Sequence, residues 1–110
     1  MCIRDINKSF SIGPCIVSSE NIDPQDLQVG LKILRKDKVV FEGSSSTKEM
    51  KRNVTELVDW LQRSNDLPEV AVLMTGTGII PPQDFTLKQD DIVEISIEKI
   101  GTLRNKIALV

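Results

Sequence analysis

Histidine is absent from this chain of 110 residues. Its absence excludes a histidine general base, a Ser-His or Cys-His nucleophile and any imidazole metal ligand. Chemistry is left to carboxylates, lysines and hydroxyls. Aromatic residues are scarce, three Phe and one Trp, and the 14 Lys and Arg are scattered among 16 Asp and Glu for a net charge of −2. With no basic stripe and no aromatics interleaved with one, nucleic acid is not an expected partner. No apolar run approaches the ~20 residues of a membrane span, and Met1-Cys2-Ile3-Arg4-Asp5 does not read as a signal peptide, so a cytoplasmic protein without membrane association is expected. Cys2 and Cys15 are too few for a disulfide scaffold and read as small buried hydrophobes. Nor are carboxylates clustered in twos or threes as a Mg²⁺ or Ca²⁺ site requires.

At 40% hydrophobic and 27% charged, what remains is the composition of an ordinary globular chain, long enough for a core. It has no repeats, low-complexity tracts or internal boundary, so one domain over residues 1–110 is expected. The focal stretch runs from Val70 to Pro82. Residues 70–74 are all apolar and too few for a helix, which predicts a strand buried on both faces. The run stops at Thr75-Gly76-Thr77-Gly78. Two glycines free the backbone to leave the strand with positive φ, or permit a close approach to another segment, while Thr75 and Thr77 place two hydroxyls there. Two readings stay open: a plain strand exit in which the threonines satisfy backbone groups, or a ligand-facing loop that grips a carboxylate or carbonyl oxygen.

Elsewhere the pattern is mainly that of strands. Cys15-Ile16-Val17, entered through Gly13-Pro14, reads as a strand near the core. Leu27, Val29, Leu31 and Ile33 alternate with Gln28, Gly30, Lys32 and Leu34, and the charged turn at residues 35–38 leads into Val39-Val40-Phe41, which predicts a hairpin. Residues 43–47 read as a flexible loop. Asn53, three residues before Glu56, resembles a capping box, and Val54, Leu57, Val58 and Leu61 fall at i, i+3, i+4 and i+7 with Trp60 beside them, one apolar stripe of a helix. Asp90-Asp91 turns into an alternating strand at residues 92–97, and Gly101 marks a turn before a last strand over 103–110. The fold class expected is α+β, mainly β, with one principal helix.

Other candidate groups have plainer readings. Glu94 and Glu98 share a strand face but lie ~13 Å apart at ~3.3 Å per residue, too far to share a metal. Asp90-Asp91 could hold a cation, but reads first as a turn. Lys8 could stabilise an oxyanion, or simply be solvated.

Together, Lys8-Ser9-Phe10, Ile12-Gly13-Pro14-Cys15-Ile16-Val17, Asp23-Pro24-Gln25-Asp26-Leu27, Thr75-Gly76-Thr77-Gly78-Ile79-Ile80-Pro81-Pro82, Phe85-Thr86-Leu87, Asp91-Ile92-Val93 and Ile100-Gly101-Thr102-Leu103-Arg104-Asn105 resemble, in collinear order, the C-terminal half of the fumarylacetoacetate hydrolase family. The run from Gly78 to Pro82 is closer to its 2-keto-3-deoxy sugar acid dehydratase branch. The resemblance implies a β-rich mixed fold, often dimeric, in which Mg²⁺ or Ca²⁺ on three carboxylates chelates a 2-oxo acid and acts as Lewis acid for C–C cleavage, dehydration, decarboxylation or isomerisation. It implies that Lys8 matches the family lysine that stabilises an enolate-like oxyanion, and that Thr77, with Gly76 and Thr75, matches the loop that hydrogen-bonds substrate.

The departures bear on activity. The family's Glu-x-Glu metal pair has no counterpart here, and Cys2-Ile3-Arg4-Asp5-Ile6 resembles the segment just after the third metal-binding aspartate, so Asp5 is not that ligand. The chain is also shortened before Lys8, and Phe10 is followed by Ser11 rather than an acidic residue or glycine. Three expectations follow: a polypeptide that is silent by itself and self-associates, for instance as a homodimer; an enzyme active only with a partner chain that supplies the metal ligands; or a non-catalytic module that binds small 2-oxo acids.

Overall fold

A period-2 pattern of apolar residues makes a strand with one buried face, and a short turn folds it back on its neighbour. In the computed structural model, which describes residues 8–109, β1 (Gln28–Arg35) and β2 (Lys38–Ser46) form such a hairpin. Lys36 and Asp37 both adopt left-handed backbone, φ 52° and 61°, the pairing of a two-residue type I′ turn, whose twist matches that of the strands. β3 (Ile92–Ile97) adds antiparallel to β1 and β4 (Gly101–Lys106) adds antiparallel to β3, giving one four-stranded sheet in the order β2-β1-β3-β4.

The register sorts the two faces. One carries Leu31 beside Ile95 and Leu103, and Ile33 between Phe41 and Val93. On the other, Glu42, Lys32, Glu94 and Arg104 stand in one row across all four strands, with Lys32–Glu42 at 3.2 Å and Arg104–Glu94 at 3.1 Å. Opposite charges on facing strands support that pairing. Among the described residues the buried hydrophobic ones are Leu27, Ile33 and Ile79, so the loop after residue 76 contributes to the core of the apolar face.

α1 (Val54–Gln62) begins where its cap predicts, with the Asn53 side chain accepting from the Glu56 amide at 2.7 Å. None of its residues is buried; the expected stripe of Val54, Leu57, Val58 and Leu61 is only partly covered, and the exposed Trp60 stacks under Arg63 at 4.2 Å. No helix of the described residues is long and apolar enough to cross a membrane.

Four expectations need correction. Residues 43–46 belong to β2 rather than to a flexible loop, because they pair with residues 28–31 of β1. The last strand is Gly101–Lys106, ending before residues 107–109. Residues 15–17 form no strand: Ile16 is 90% exposed and Cys15, expected as a buried hydrophobe, is exposed. The stretch from Ser11 to Cys15 is held near β4 by side chains instead of a ladder, through Asn105 donating to Ser11 at 2.8 Å and the Cys15 thiol donating to the Ile100 carbonyl at 3.3 Å. Residues 70–74 form no strand either; Val70, Val72 and Met74 are exposed, since no strand of the sheet pairs with them. Cys2 and Asp5 lie outside the described residues.

Candidate functional site

The Thr-Gly-Thr-Gly loop is shaped by both properties of its glycines. Gly76 has φ +90°, a conformation that costs glycine little and other residues much. Gly78 instead permits a close approach: a Cβ there would lie 2.6 Å from the Ser45 hydroxyl. A reciprocal seat on β2 receives the next residue, because a Cβ on Gly43 would lie 2.6 Å from Ile79 Cγ2. Ile79 thus docks against a bare backbone, and the loop's position is set by β2. Ser45 is itself held, donating to Glu49 at 3.1 Å.

Within the loop, Thr77 Oγ1 accepts from the Ile79 amide at 3.1 Å and donates to the Ile79 carbonyl at 3.3 Å. This is the backbone-satisfying role open to a threonine in a turn. It also orients the hydroxyl. Thr75 and Gly76 are exposed beside it.

Lys8, exposed and with φ 62°, precedes the other bank of the same groove. Phe10, Ser11, Ile12 and Gly13 face Val72, Met74 and Leu103 across a cavity of about 590 Å³. The chain leaving Lys8 and the chain entering Thr75 are therefore brought together, although residues 70–74 are not the buried strand expected. Leu103 of β4 forms the floor, and it explains the glycine opposite: a Cβ on Gly13 would come within 3.3 Å of Leu103 Cδ1.

The carboxylates considered as cation ligands are engaged elsewhere. Glu94 pairs with Arg104, Asp90 with Lys106 at 2.8 Å, and Glu98 accepts from the Gln28 amide at 3.4 Å. Asp91 is 1% exposed. Its two oxygens accept from Arg35 Nε and Nη2, both at 2.8 Å, and one also accepts from the Lys88 amide at 2.8 Å. Arg35 further donates to the Thr86 carbonyl at 3.0 Å. The Arg35 hydrogen bonds hold the Asp91 carboxyl at about 2, with the Lys88 amide adding to them against the cost of burial, and the same bonds raise Arg35. Among the described residues no group of three or more His, Cys, Asp or Glu side chains could hold a metal ion. The donor set of these residues does not fit a Mg²⁺ or Ca²⁺ centre.

The roles of Arg35, Gly43 and Asp91 escaped the sequence reading, which took Arg35 as part of a charged turn, Gly43 as loop and Asp91 as a turn residue or cation ligand. Arg35 and Asp91 are 56 residues apart, and only the β1–β3 pairing makes them neighbours. Gly43 carried one usable signal, a glycine two residues beyond the apolar end of a predicted strand at Phe41, which fits a seat for another side chain as well as it fits a loop.

The family model described as fumarylacetoacetate (FAA) hydrolase C-terminal matches residues 3–108. A probable 2-keto-3-deoxyxylonate dehydratase of Haloferax volcanii is 44% identical over 105 residues, 94% of this chain and 36% of that protein. The 2-dehydro-3-deoxy-D-arabinonate dehydratase of Saccharolobus solfataricus is 47% identical over 94 residues, 84% of this chain and 32% of that protein. A solved structure of 2-keto-3-deoxy-D-arabinonate dehydratase complexed with magnesium and 2,5-dioxopentanoate superposes with a TM-score of 0.82 at 46% identity, covering 86% of this chain and 34% of that one. The chain spans about a third of the length of these relatives.

Proposed function

From its membership of the fumarylacetoacetate hydrolase family, we propose that this chain carries the substrate-contacting part of a metal-dependent site for 2-keto-3-deoxy sugar acids and does not complete that site alone. One observation carries the reading: the residues just after Lys8 and just before Thr75, Phe10 to Gly13 and Val72 to Met74, line one groove, while the described residues offer no metal-binding carboxylate set.

The local chemistry fits a 2-oxo acid. The Ile79 amide holds Thr77 Oγ1 in place, and the threonine proton, directed at a 3.3 Å contact to the Ile79 carbonyl, can turn to a substrate carboxylate, where a charge-assisted bond is stronger. The ammonium of Lys8 supplies positive charge for an oxyanion that develops next to the acid group. A solved relative is complexed with magnesium; ligands for such an ion, which would supply Lewis acidity, would have to come from outside the described residues, in a longer polypeptide or from a partner chain.

Calorimetric Mg²⁺ titration of the 110-residue chain, with an assay for turnover of 2-keto-3-deoxy-arabinonate, is expected to show neither micromolar binding nor product. Micromolar Mg²⁺ affinity together with turnover would overturn the proposal. A shift of the Thr77 amide signal on adding the 2-oxo acid, with no turnover in any assembly, favours the binding-module reading instead.

A further inference from the structure

Ser45 places a hydroxyl on the apolar side of the sheet, where its partner across β1 is Val29 and its neighbour two residues back along β2 is Gly43. The hydroxyl oxygen lies under the threonine loop, 2.6 Å from where a Cβ on Gly78 would stand. Its proton goes to Glu49 Oε2 at 3.1 Å. The turn of residues 77–79 thus rests on β2 in two ways: Ile79 sits on the bare backbone of Gly43, and Gly78 lies against the Ser45 hydroxyl. Packing fixes the first contact. The second depends on which rotamer the serine adopts.

Glu49 decides that rotamer, and its own place is fixed by the backbone. It ends the 3₁₀ turn Thr47–Glu49, and Thr47 is tied to buried Leu27 by two hydrogen bonds, its amide donating to the Leu27 carbonyl and its hydroxyl accepting from the Leu27 amide, both at 2.9 Å. Ser46 caps the same turn by accepting from the Lys48 amide at 3.2 Å. A carboxylate carried on this turn holds the Ser45 proton through a charge-assisted bond, stronger than one to a neutral acceptor. On the far side of Gly78, the Thr77 hydroxyl takes its direction from the Ile79 amide and carbonyl. Resting on the reading of Thr77 as a substrate contact, we infer that Glu49, acting through Ser45, is a positioning residue for the Thr77 hydroxyl. It touches no substrate itself. Its carboxylate fixes Ser45, Ser45 sets the height of Gly78 above β2, and Gly78 sets the spacing between the Thr77 side chain and the Ile79 peptide groups that aim it.

Amide hydrogen exchange in the 110-residue chain tests this at Ile79, whose N–H is held by Thr77 Oγ1. Glu49→Ala should speed exchange there by ~10-fold and leave the β1 and β3 amides unchanged. Glu49→Gln keeps an acceptor oxygen for Ser45 and should restore most of the protection. The Hα–Hβ coupling of Thr77 should report a single rotamer in the parent chain and in Glu49→Gln, and an average of rotamers in Glu49→Ala. A double-mutant cycle shows whether the effect runs through Ser45: Gly78→Ala already pushes the serine hydroxyl off its seat, so adding Glu49→Ala to it should change Ile79 exchange no further. An Ile79 amide indifferent to Glu49→Ala would overturn the inference. So would Glu49→Gln exchanging as fast as Glu49→Ala, or full additivity of Glu49→Ala with Gly78→Ala. None of these readouts uses substrate. An Ile79 amide loosened by Glu49→Ala therefore supports the positioning role even where turnover proves indifferent to Thr77, a result that counts against the functional reading alone.

Discussion

Replacing Asp91 with asparagine lowers the melting temperature of this chain more than replacing Glu42, Glu94 or Asp90. The last three carboxylates belong to ion pairs with exposed partners, where a pair contributes ~0–1 kcal/mol. Asp91 has no accessible surface to speak of and accepts three hydrogen bonds. Asparagine retains one acceptor oxygen and turns an NH₂ toward the Arg35 fork or the Lys88 amide, donor against donor. Removing one partner also leaves the other charge without its counter-ion. The pH dependence has a definite sign. The Asp91 carboxyl sits at about 2 in the folded chain against 3.8 for the ordinary group. Its stabilising contribution is thus complete above the ordinary value and disappears as pH falls from near 4 through 2. Thermal melts from pH 6 to pH 2 should show a steep acid limb in the parent and a shallower one in Asp91→Asn.

Gly43→Ala is expected to destabilise by ~1–3 kcal/mol, the cost of overpacking, and to release the threonine loop. The new methyl would stand 2.6 Å from Ile79 Cγ2, an atom one bond from the Ile79 Cβ and unable to swing clear without moving the residue. Gly78→Ala meets Ser45 Oγ at the same distance, but a hydroxyl can rotate away, so its effect should be smaller. Urea denaturation gives the two differences. Faster exchange of the Ile79 amide in Gly43→Ala, with β3 amides unaffected, would locate the damage in the loop. Equal effects of the two substitutions would show that Gly43 is not the seat.

Where local pattern and final structure share a cause, the sequence was readable. Alternation in residues 27–33 and the charged turn after it gave the hairpin, and Asn53 with Glu56 gave the start of α1. The alternation of residues 92–97 gave β3. What misled was apolar character without a partner. Residues 15–17 and 70–74 have strand composition, but a strand also needs a neighbour to pair with, and the sheet offers its edges to neither. The reverse error occurred at residues 43–46, where glycine and serines suggested a loop while register with β1 made them strand. Their small side chains leave room for Ile79 and Gly78. At the candidate site, the two roles considered for the glycines proved to be divided, positive φ at Gly76 and close approach at Gly78. Arg35 and Asp91 could not be matched because no local period links positions so far apart.

The measurement that bears most directly on the proposed role is dehydratase turnover by a chimera that carries residues 3–108 in place of the matched third of the Saccharolobus solfataricus dehydratase, with substitutions at Lys8 and Thr77, which flank the two segments lining the groove. Lys8→Ala should lower kcat/KM by ~100-fold or more, as loss of an oxyanion-stabilising group does. Thr77→Val should lower it by ~10-fold or more through loss of a charge-assisted hydrogen bond, and Thr77→Ser, which keeps the hydroxyl, should restore most of the loss. A folded, active chimera indifferent to Lys8→Ala and Thr77→Val would contradict the assignment of this chain's groove to the substrate.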